Sequence, residues 1–174
     1  MKNSLALLAA TLVLAGCAAM DKNQCQNAGW YAIGLEDGSQ GRTLDRLGQH
    51  RRACAEYGVQ PDAERYAAGR NEGLKSYCTY DRGYRHGLSG DAYYGVCPEP
   101  AATEFGAGYR RGKDIHDMNK RLNDVNADIR QTRAALSERG VGPRARAQLA
   151  ERLEDLSREA AQLEQQLERA RSRR

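Results

Sequence analysis

An aromatic residue followed by two glycines, in the pattern aromatic-x-x-Gly-x-x-x-Gly, occurs four times between residues 31 and 112. The four copies begin at Tyr31, Tyr66, Tyr80 and Phe105. Residues three and four positions apart lie on one face of an α-helix. Each glycine inside a helix costs about 1 kcal/mol relative to alanine, but glycines at this spacing let another backbone approach closely. The motif therefore predicts short helices in tight contact, with aromatic rings beside the glycines.

The region that carries the motif is expected to form four helices, at about 24–38, 43–58, 61–77 and 80–89. Asp62, after a proline, suits a helix N-terminus, and Gly58 suits a helix end. In the third copy of the motif, Gly83 and Gly87 are equally compatible with turns, because glycine readily adopts a positive φ. The sequence leaves both interpretations open at these two positions.

The N-terminus has the features of an export signal that ends at a lipidation site. Lys2 is followed by about a dozen apolar or small residues, a run too short to cross a bilayer, which takes about 20. Residues 14–17, Leu-Ala-Gly-Cys, resemble the lipobox of bacterial lipoproteins, in which small residues precede the cut and the cysteine sulfur takes the lipid. We expect removal of residues 1–16 and lipid, including palmitate, on Cys17. The alternative is an ordinary cleaved signal with a chance cysteine.

The position of the anchor predicts the compartment. A triacylated Cys17 would be held permanently on the periplasmic face of a membrane. In enterobacterial lipoproteins, Asp directly after the lipidated cysteine retains the protein in the inner membrane. This chain has Ala18 at that position, which by resemblance favours the outer membrane.

The remaining cysteines compensate for a shortage of large core residues, since the chain has one Phe and one Trp but 18 Gly. An even number of cysteines in an oxidising compartment predicts two disulfides. The four cysteines that remain after Cys17 are Cys25, Cys54, Cys78 and Cys97. Three pairings are possible, and we favour the nested one, Cys54–Cys78 with Cys25–Cys97. No Cys-x-x-Cys pair is present and the histidines lack ligand spacing, so we expect neither a metal nor a cofactor.

Two series of apolar residues, spaced alternately three and four apart, follow residue 112. They are Ile115, Met118, Leu122, Val125, Ile129, Thr132 and Leu136, and then Leu149, Leu153, Leu156, Ala160, Leu163, Leu167 and Ala170. This spacing gives each helix a narrow apolar stripe, and the segment 140–143, Gly-Val-Gly-Pro, separates them. The sequence thus predicts an all-α fold: a disulfide-stapled helical domain at 17–112, then an antiparallel coiled-coil hairpin at 113–174. The arms of the hairpin are expected at about 113–138 and 143–172.

Three segments of the domain resemble a known family. Residues 30–38 read Trp-Tyr-x-x-Gly-x-x-Asp-Gly, residues 66–78 read Tyr-x-x-Gly-x-x-x-Gly-Leu-x-x-Tyr-Cys, and residues 83–87 read Gly-Tyr-x-x-Gly. Together, over residues 25–97, they resemble a proteobacterial lipoprotein family known as domain of unknown function 2799. The resemblance implies no activity, and it does not include the hairpin.

Two carboxylates are candidate site residues because they occupy the same place, just before the second glycine of a motif. Asp37 and Glu72 could act as an acid/base pair. The alternative is that they are ordinary helix carboxylates, either exposed or in salt bridges with the abundant arginines. We predict no catalytic residues and no enzyme. With Trp30, these two residues are also candidates for a ligand-binding cleft lined by Tyr and Trp side chains.

The function expected from these features is that of a non-enzymatic structural or adaptor protein of the cell envelope. Residues 113–174 are expected to bind a protein partner, because coiled coils usually hold or space proteins. The alternative is a module that binds an envelope glycan or peptidoglycan in the cleft lined by Tyr and Trp. A net charge of +4, together with the compartment, argues against nucleic acid.

Overall fold

The computed structural model describes residues 20–172, and all the regular secondary structure in that range is α-helical. The predicted all-α fold with two disulfides is confirmed. Cys17 and the rest of the predicted signal lie outside the described residues. No helix in the described range is long and apolar enough to cross a membrane.

Seven helices make up the described part of the chain. They are α1 (Lys22–Gln26), α2 (Trp30–Ser39), α3 (Asp45–Ala55), α4 (Ala63–Tyr77), α5 (Tyr80–Ser89), α6 (Ala101–Ser137) and α7 (Pro143–Ser172). The helix expected at 24–38 is divided into α1 and α2, which a short non-helical link separates. As predicted, the Asp62 side chain caps α4 by accepting from the Arg65 backbone N–H. Gly58 follows the end of α3 with φ +69°.

The glycine motifs pack α2 directly against α4. A Cβ placed on Gly34 would lie 2.1 Å from the Tyr66 carbonyl oxygen, and one on Gly69 would lie 1.9 Å from that of Tyr31. One turn further along both helices, a Cβ on Gly38 would lie 2.2 Å from the Arg70 carbonyl oxygen. Because the contacts advance in the same direction along both chains, α2 and α4 are parallel.

The other two motifs pack α5 against α6 in the same way. A Cβ on Gly83 would lie 2.1 Å from the Phe105 carbonyl oxygen, and one on Gly108 would lie equally close to that of Tyr80. A Cβ on Gly87 would lie 2.2 Å from the Tyr109 carbonyl oxygen. Gly83 and Gly87 are therefore packing positions inside a helix, which decides between the two interpretations that the sequence left open.

Each disulfide closes one of these parallel helix pairs. Cys25 is bonded to Cys54, and Cys78 to Cys97. The favoured nested pairing was wrong, and the bonds are consecutive along the chain. The reason is the parallel packing: it brings the N-terminal ends of both helices of a pair to the same side, where the cysteines that precede them meet. We call residues 22–77 the first unit and residues 78–112 the second unit.

The two units share a boundary through the end of α4. Tyr77 stacks on Phe105 of α6 with ring centroids 5.1 Å apart. Leu74 belongs to the same buried cluster, together with the Cys78–Cys97 disulfide. A separate cluster inside the first unit contains Trp30, Tyr66 and the Cys25–Cys54 disulfide. The domain therefore has two separate buried clusters, one at the boundary between the units and one inside the first unit.

Beyond the units, α6 and α7 pack antiparallel along a seam of apolar residues. Val125, Ile129 and Ala160 are buried in it. Ion pairs flank the seam, with Arg121 2.7 Å from Glu159 and Arg152 3.7 Å from Asp128. Helix α6 has 37 residues and passes without interruption from the second unit into this pair. We call residues 113–172 the arm.

Candidate functional site

A buried carboxylate, that of Asp37, lies at the centre of the first unit. Its side chain is 9% exposed, and its Oδ2 accepts a hydrogen bond of 2.8 Å from the Tyr66 hydroxyl. His50 Nε2 lies 2.9 Å from the same oxygen, and Arg46 Nε lies 3.8 Å from Oδ1. These four residues, the Asp37 cluster, join α2, α3 and α4.

The helix packing explains why Asp37 meets Tyr66. Asp37 precedes the second glycine of its motif, and Tyr66 is the first residue of the partner motif. The same relationship recurs in the second unit, where Arg111, just before Gly112, donates from Nη1 to the Tyr80 hydroxyl at 3.1 Å. In these two cases the residue before the second glycine contacts the hydroxyl of the aromatic residue that begins the partner motif.

The cluster is an internal network in which the Asp37 carboxylate is paired, although Arg46 Nε makes no hydrogen bond among residues 20–172. Burial raises the pKa of Tyr66 well above its ordinary value, and the hydrogen bond to Asp37 and the negative charge of Asp37 raise it further. The hydroxyl therefore stays a donor at all pH values near neutrality. The hydrogen bond from Tyr66 and the neighbouring His50 and Arg46 side chains offset part of the cost of burying the carboxylate, and these contacts connect the three helices.

The three residues expected at a ligand site lie in two different places. Trp30 is 7% exposed, and its ring meets the His50 ring edge-on with centroids 6.3 Å apart. Trp30 and Asp37 therefore both contact His50 inside the first unit. Glu72, by contrast, lies at the surface, where its carboxylate is 2.6 Å from the Lys75 ammonium.

Sequence reasoning did not identify His50 or Arg46 as partners of Asp37. A signal was present for His50, which precedes Cys54 by four residues and so shares its helix face. Nothing in the sequence marks Arg46 among the many arginines of the chain.

A concave site separate from the Asp37 carboxylate lies between the two units, and we call it the interunit cleft. It has a volume of about 390 Å³. One wall is formed by the turn at residues 40–43 and by α3, and the other by Tyr77, His86 and the segment 92–96. Within residues 20–172, no group of three or more His, Cys, Asp or Glu side chains is placed to hold a metal ion.

Residues 29–114 match the family described as "Protein of unknown function (DUF2799)". The chain contains a DUF2799 domain. The match begins one residue before α2 and ends just after Gly112, so the DUF2799 domain comprises all four glycine motifs and both helix pairs. Most of the arm lies outside it. No curated protein and no solved structure matches the chain.

Proposed function

We propose that this protein is a lipid-anchored lipoprotein on the periplasmic face of the outer membrane. In this proposal it is a non-enzymatic structural or adaptor protein, and it presents its arm to a protein partner. The DUF2799 domain serves as the rigid base of the arm, and Cys17 attaches that base to the membrane.

The cysteine pairing supports the proposed compartment. All four cysteines in the described residues are in disulfides, and such bonds persist in oxidising compartments such as the periplasm. Cys17 is the one cysteine left for lipid, and it follows the small residues that a lipoprotein signal requires. The two disulfides and the lipobox are independent features that agree on the same address.

The observation that carries the adaptor role is the continuity of α6. This helix is held at Gly108 and Gly112 in the core of the domain and then forms one side of the arm. From Lys113 to Ser137 it extends about 38 Å at 1.5 Å per residue. Because no loop or hinge separates domain and arm along α6, a partner on the arm would be held at a fixed distance from the domain.

The base of the arm is also fastened through α7. Arg111 donates from Nη2 to the Ala170 carbonyl oxygen at 3.2 Å, and Arg171 donates to the Asn119 side chain at 3.0 Å. A cation at the C-terminal carbonyls of a helix is favourable because the helix dipole is negative there. Arg111 therefore connects the end of α7 to the domain, and Arg171 connects it to α6 within the arm, which suits a spacer.

The surface best suited to a partner is a groove near the free end of the arm, with a volume of about 580 Å³. Leu136 and Leu153 give it an apolar floor, and Arg133, Glu154 and Arg158 surround that floor with charge. An apolar centre with a charged rim is typical of a surface that binds another helix. We therefore assign partner binding to this groove.

Crosslinking in living cells tests the adaptor role. A photoreactive residue in place of Glu154, in the groove, is expected to give a discrete covalent product with another envelope protein. The matched control is Glu151, one turn earlier on α7 and also exposed but outside the groove. Equal products from both positions, or none from Glu154, would contradict the proposal.

A further inference from the structure

The interunit cleft carries positive charge on one wall only. Arg42 and Arg46 line this wall, and no carboxylate lines the cleft in the described part of the chain. Asp37 approaches Arg46 from behind, with its Oδ1 3.8 Å from Nε, and offsets part of that charge. Arg46 Nε itself is buried and makes no hydrogen bond among residues 20–172, so it does not face the cleft. The Arg46 side chain is 33% exposed, and the outer part of its guanidinium supplies the charge of this wall. This wall is suited to an anionic group.

The opposite wall is aromatic. Tyr77, Tyr93, Tyr94 and His86 contribute to it. Tyr94 is 75% exposed, more than any other large hydrophobic residue in the described range, and it lies in a non-helical segment at the cleft. Rings of this kind give a flat apolar surface with polar atoms at the edge, which is the surface that the C–H face of a sugar ring requires.

Internal contacts hold much of both walls in place before any ligand arrives. On the cationic side, Arg70 reaches from α4 and donates to the Arg42 carbonyl oxygen from Nη2 at 2.8 Å. Gly41 has φ +68° and lies so close to the Tyr77 ring that a Cβ there would be 2.2 Å from Cζ. The turn that bears Arg42 is therefore held against α4.

On the aromatic side, the Tyr93 hydroxyl accepts from the Cys97 backbone N–H at 3.1 Å. His86 Nε2 lies 3.0 Å from the Ala92 carbonyl oxygen. The Cys78–Cys97 disulfide ties the same segment to the start of α5. A site that is already ordered loses little conformational entropy when it binds.

We infer that the interunit cleft binds an acidic saccharide, with the carboxylate on Arg42 and Arg46 and the sugar ring against Tyr94 and Tyr93. Its volume of about 390 Å³ is that of a small ligand site, and it fits one or two sugar rings. The site is distinct from the arm, so it does not depend on the proposed partner binding. The residues that contact the ligand in this cleft are different from Trp30 and Glu72, the contacts that the sequence suggested.

Isothermal titration calorimetry on the purified full chain, with its disulfides intact, tests this site. The probe is N-acetylmuramic acid, and its match is N-acetylglucosamine, the same sugar without the lactyl carboxylate. Lactate and inorganic phosphate supply the anion without the ring. We expect N-acetylmuramic acid to bind and the other three to bind at least about tenfold more weakly, because each lacks one of the two contacts.

Two pairs of substitutions locate the site. Arg42→Gln and Tyr94→Ala are each expected to weaken binding about tenfold. Arg51→Gln and Tyr31→Ala remove the same side chains outside the cleft and are expected to leave it unchanged. Since Arg42 and Tyr94 are exposed, their variants should melt at the temperature of the parent protein.

Absence of binding, or binding that neither cleft variant weakens, overturns the inference. Equal affinity for N-acetylglucosamine overturns the cationic contact, and equal affinity for lactate or phosphate reduces the site to a simple anion site and overturns the saccharide. Loss of crosslinking at Glu154 would contradict the adaptor proposal without affecting any of these results.

Discussion

The Tyr66 hydroxyl donates a hydrogen bond of 2.8 Å to the carboxylate of Asp37, which lies 29 residues earlier in the sequence, across the interface between α4 and α2. The bond depends on two glycines, because Gly34 and Gly69 allow the two backbones to touch beside it. It is therefore a direct report on the close parallel packing that defines the domain.

The packing predicts that alanine is destabilising where helix propensity alone would make it stabilising. Gly34→Ala should lower the free energy of unfolding by about 1–3 kcal/mol, because the new Cβ meets backbone that cannot move aside. Gly48→Ala, in α3, is the control: its Cβ would meet only the flexible end of Arg52 at 3.6 Å. That variant should gain up to about 1 kcal/mol. Urea unfolding measures both, and a gain at Gly34 would contradict the packing.

The hydrogen bond to Asp37 predicts an effect of removing one oxygen atom. Tyr66→Phe should cost about 1.5–3 kcal/mol, the usual loss for a buried hydrogen bond to a charged group. Tyr31→Phe changes the same position of the first motif, where the side chain is 47% exposed, and should change stability by less than about 0.5 kcal/mol. If chemical unfolding gives equal effects for the two variants, the Asp37 cluster does not support the fold.

The raised pKa of Tyr66 predicts a loss of stability in alkali. Above pH 10.0, the ordinary pKa of tyrosine, the unfolded chain releases the Tyr66 proton while the folded chain retains it. The unfolded state then binds fewer protons, so the free energy of unfolding falls as the pH rises. Tyr66→Phe should make this fall shallower, whereas Tyr31→Phe should not. Melting temperatures between pH 8 and 11 test it, and identical slopes for all three proteins would contradict it.

The position of Arg111 predicts how the end of α7 is held. Its guanidinium contacts the Tyr80 hydroxyl and the Ala170 carbonyl oxygen, and lies 5.5 Å from the centroid of the Tyr84 ring. Arg111→Gln should speed amide hydrogen exchange in residues 166–172, with no change near residue 150. The control is Arg110→Gln, because Arg110 is the preceding residue and is exposed. Equal exchange in both variants would show that Arg111 does not fasten the arm.

Local patterns in the sequence predicted most of the helices and the close packing at the glycine motifs. They did not predict the break between α1 and α2, and they left Gly83 and Gly87 open. Asp62 and Gly58 mark helix ends through their own capping and φ preferences, which depend on few neighbours. The motif beginning at Tyr31 predicts close approach because the spacing alone puts its glycines on one face. These features require no knowledge of which segment is the partner.

Pairing and direction could not be predicted in this way. The motif at Tyr31 is compatible with any of the other three as its partner, in either direction, and the cysteine pairing follows from that choice. Once the helices are known to be parallel, consecutive disulfides follow, because Cys25 and Cys54 each precede a helix of one pair. The interunit cleft is formed by segments from both units, so no single stretch of sequence marked it.

Mass spectrometry of the native protein, isolated from membranes without reduction, tests the central claim most directly. The account predicts a chain that begins at Cys17 and carries acyl chains there, with linked peptides for Cys25–Cys54 and Cys78–Cys97. A chain that retains residues 1–16, an unmodified Cys17, or free thiols at the other four cysteines would contradict it.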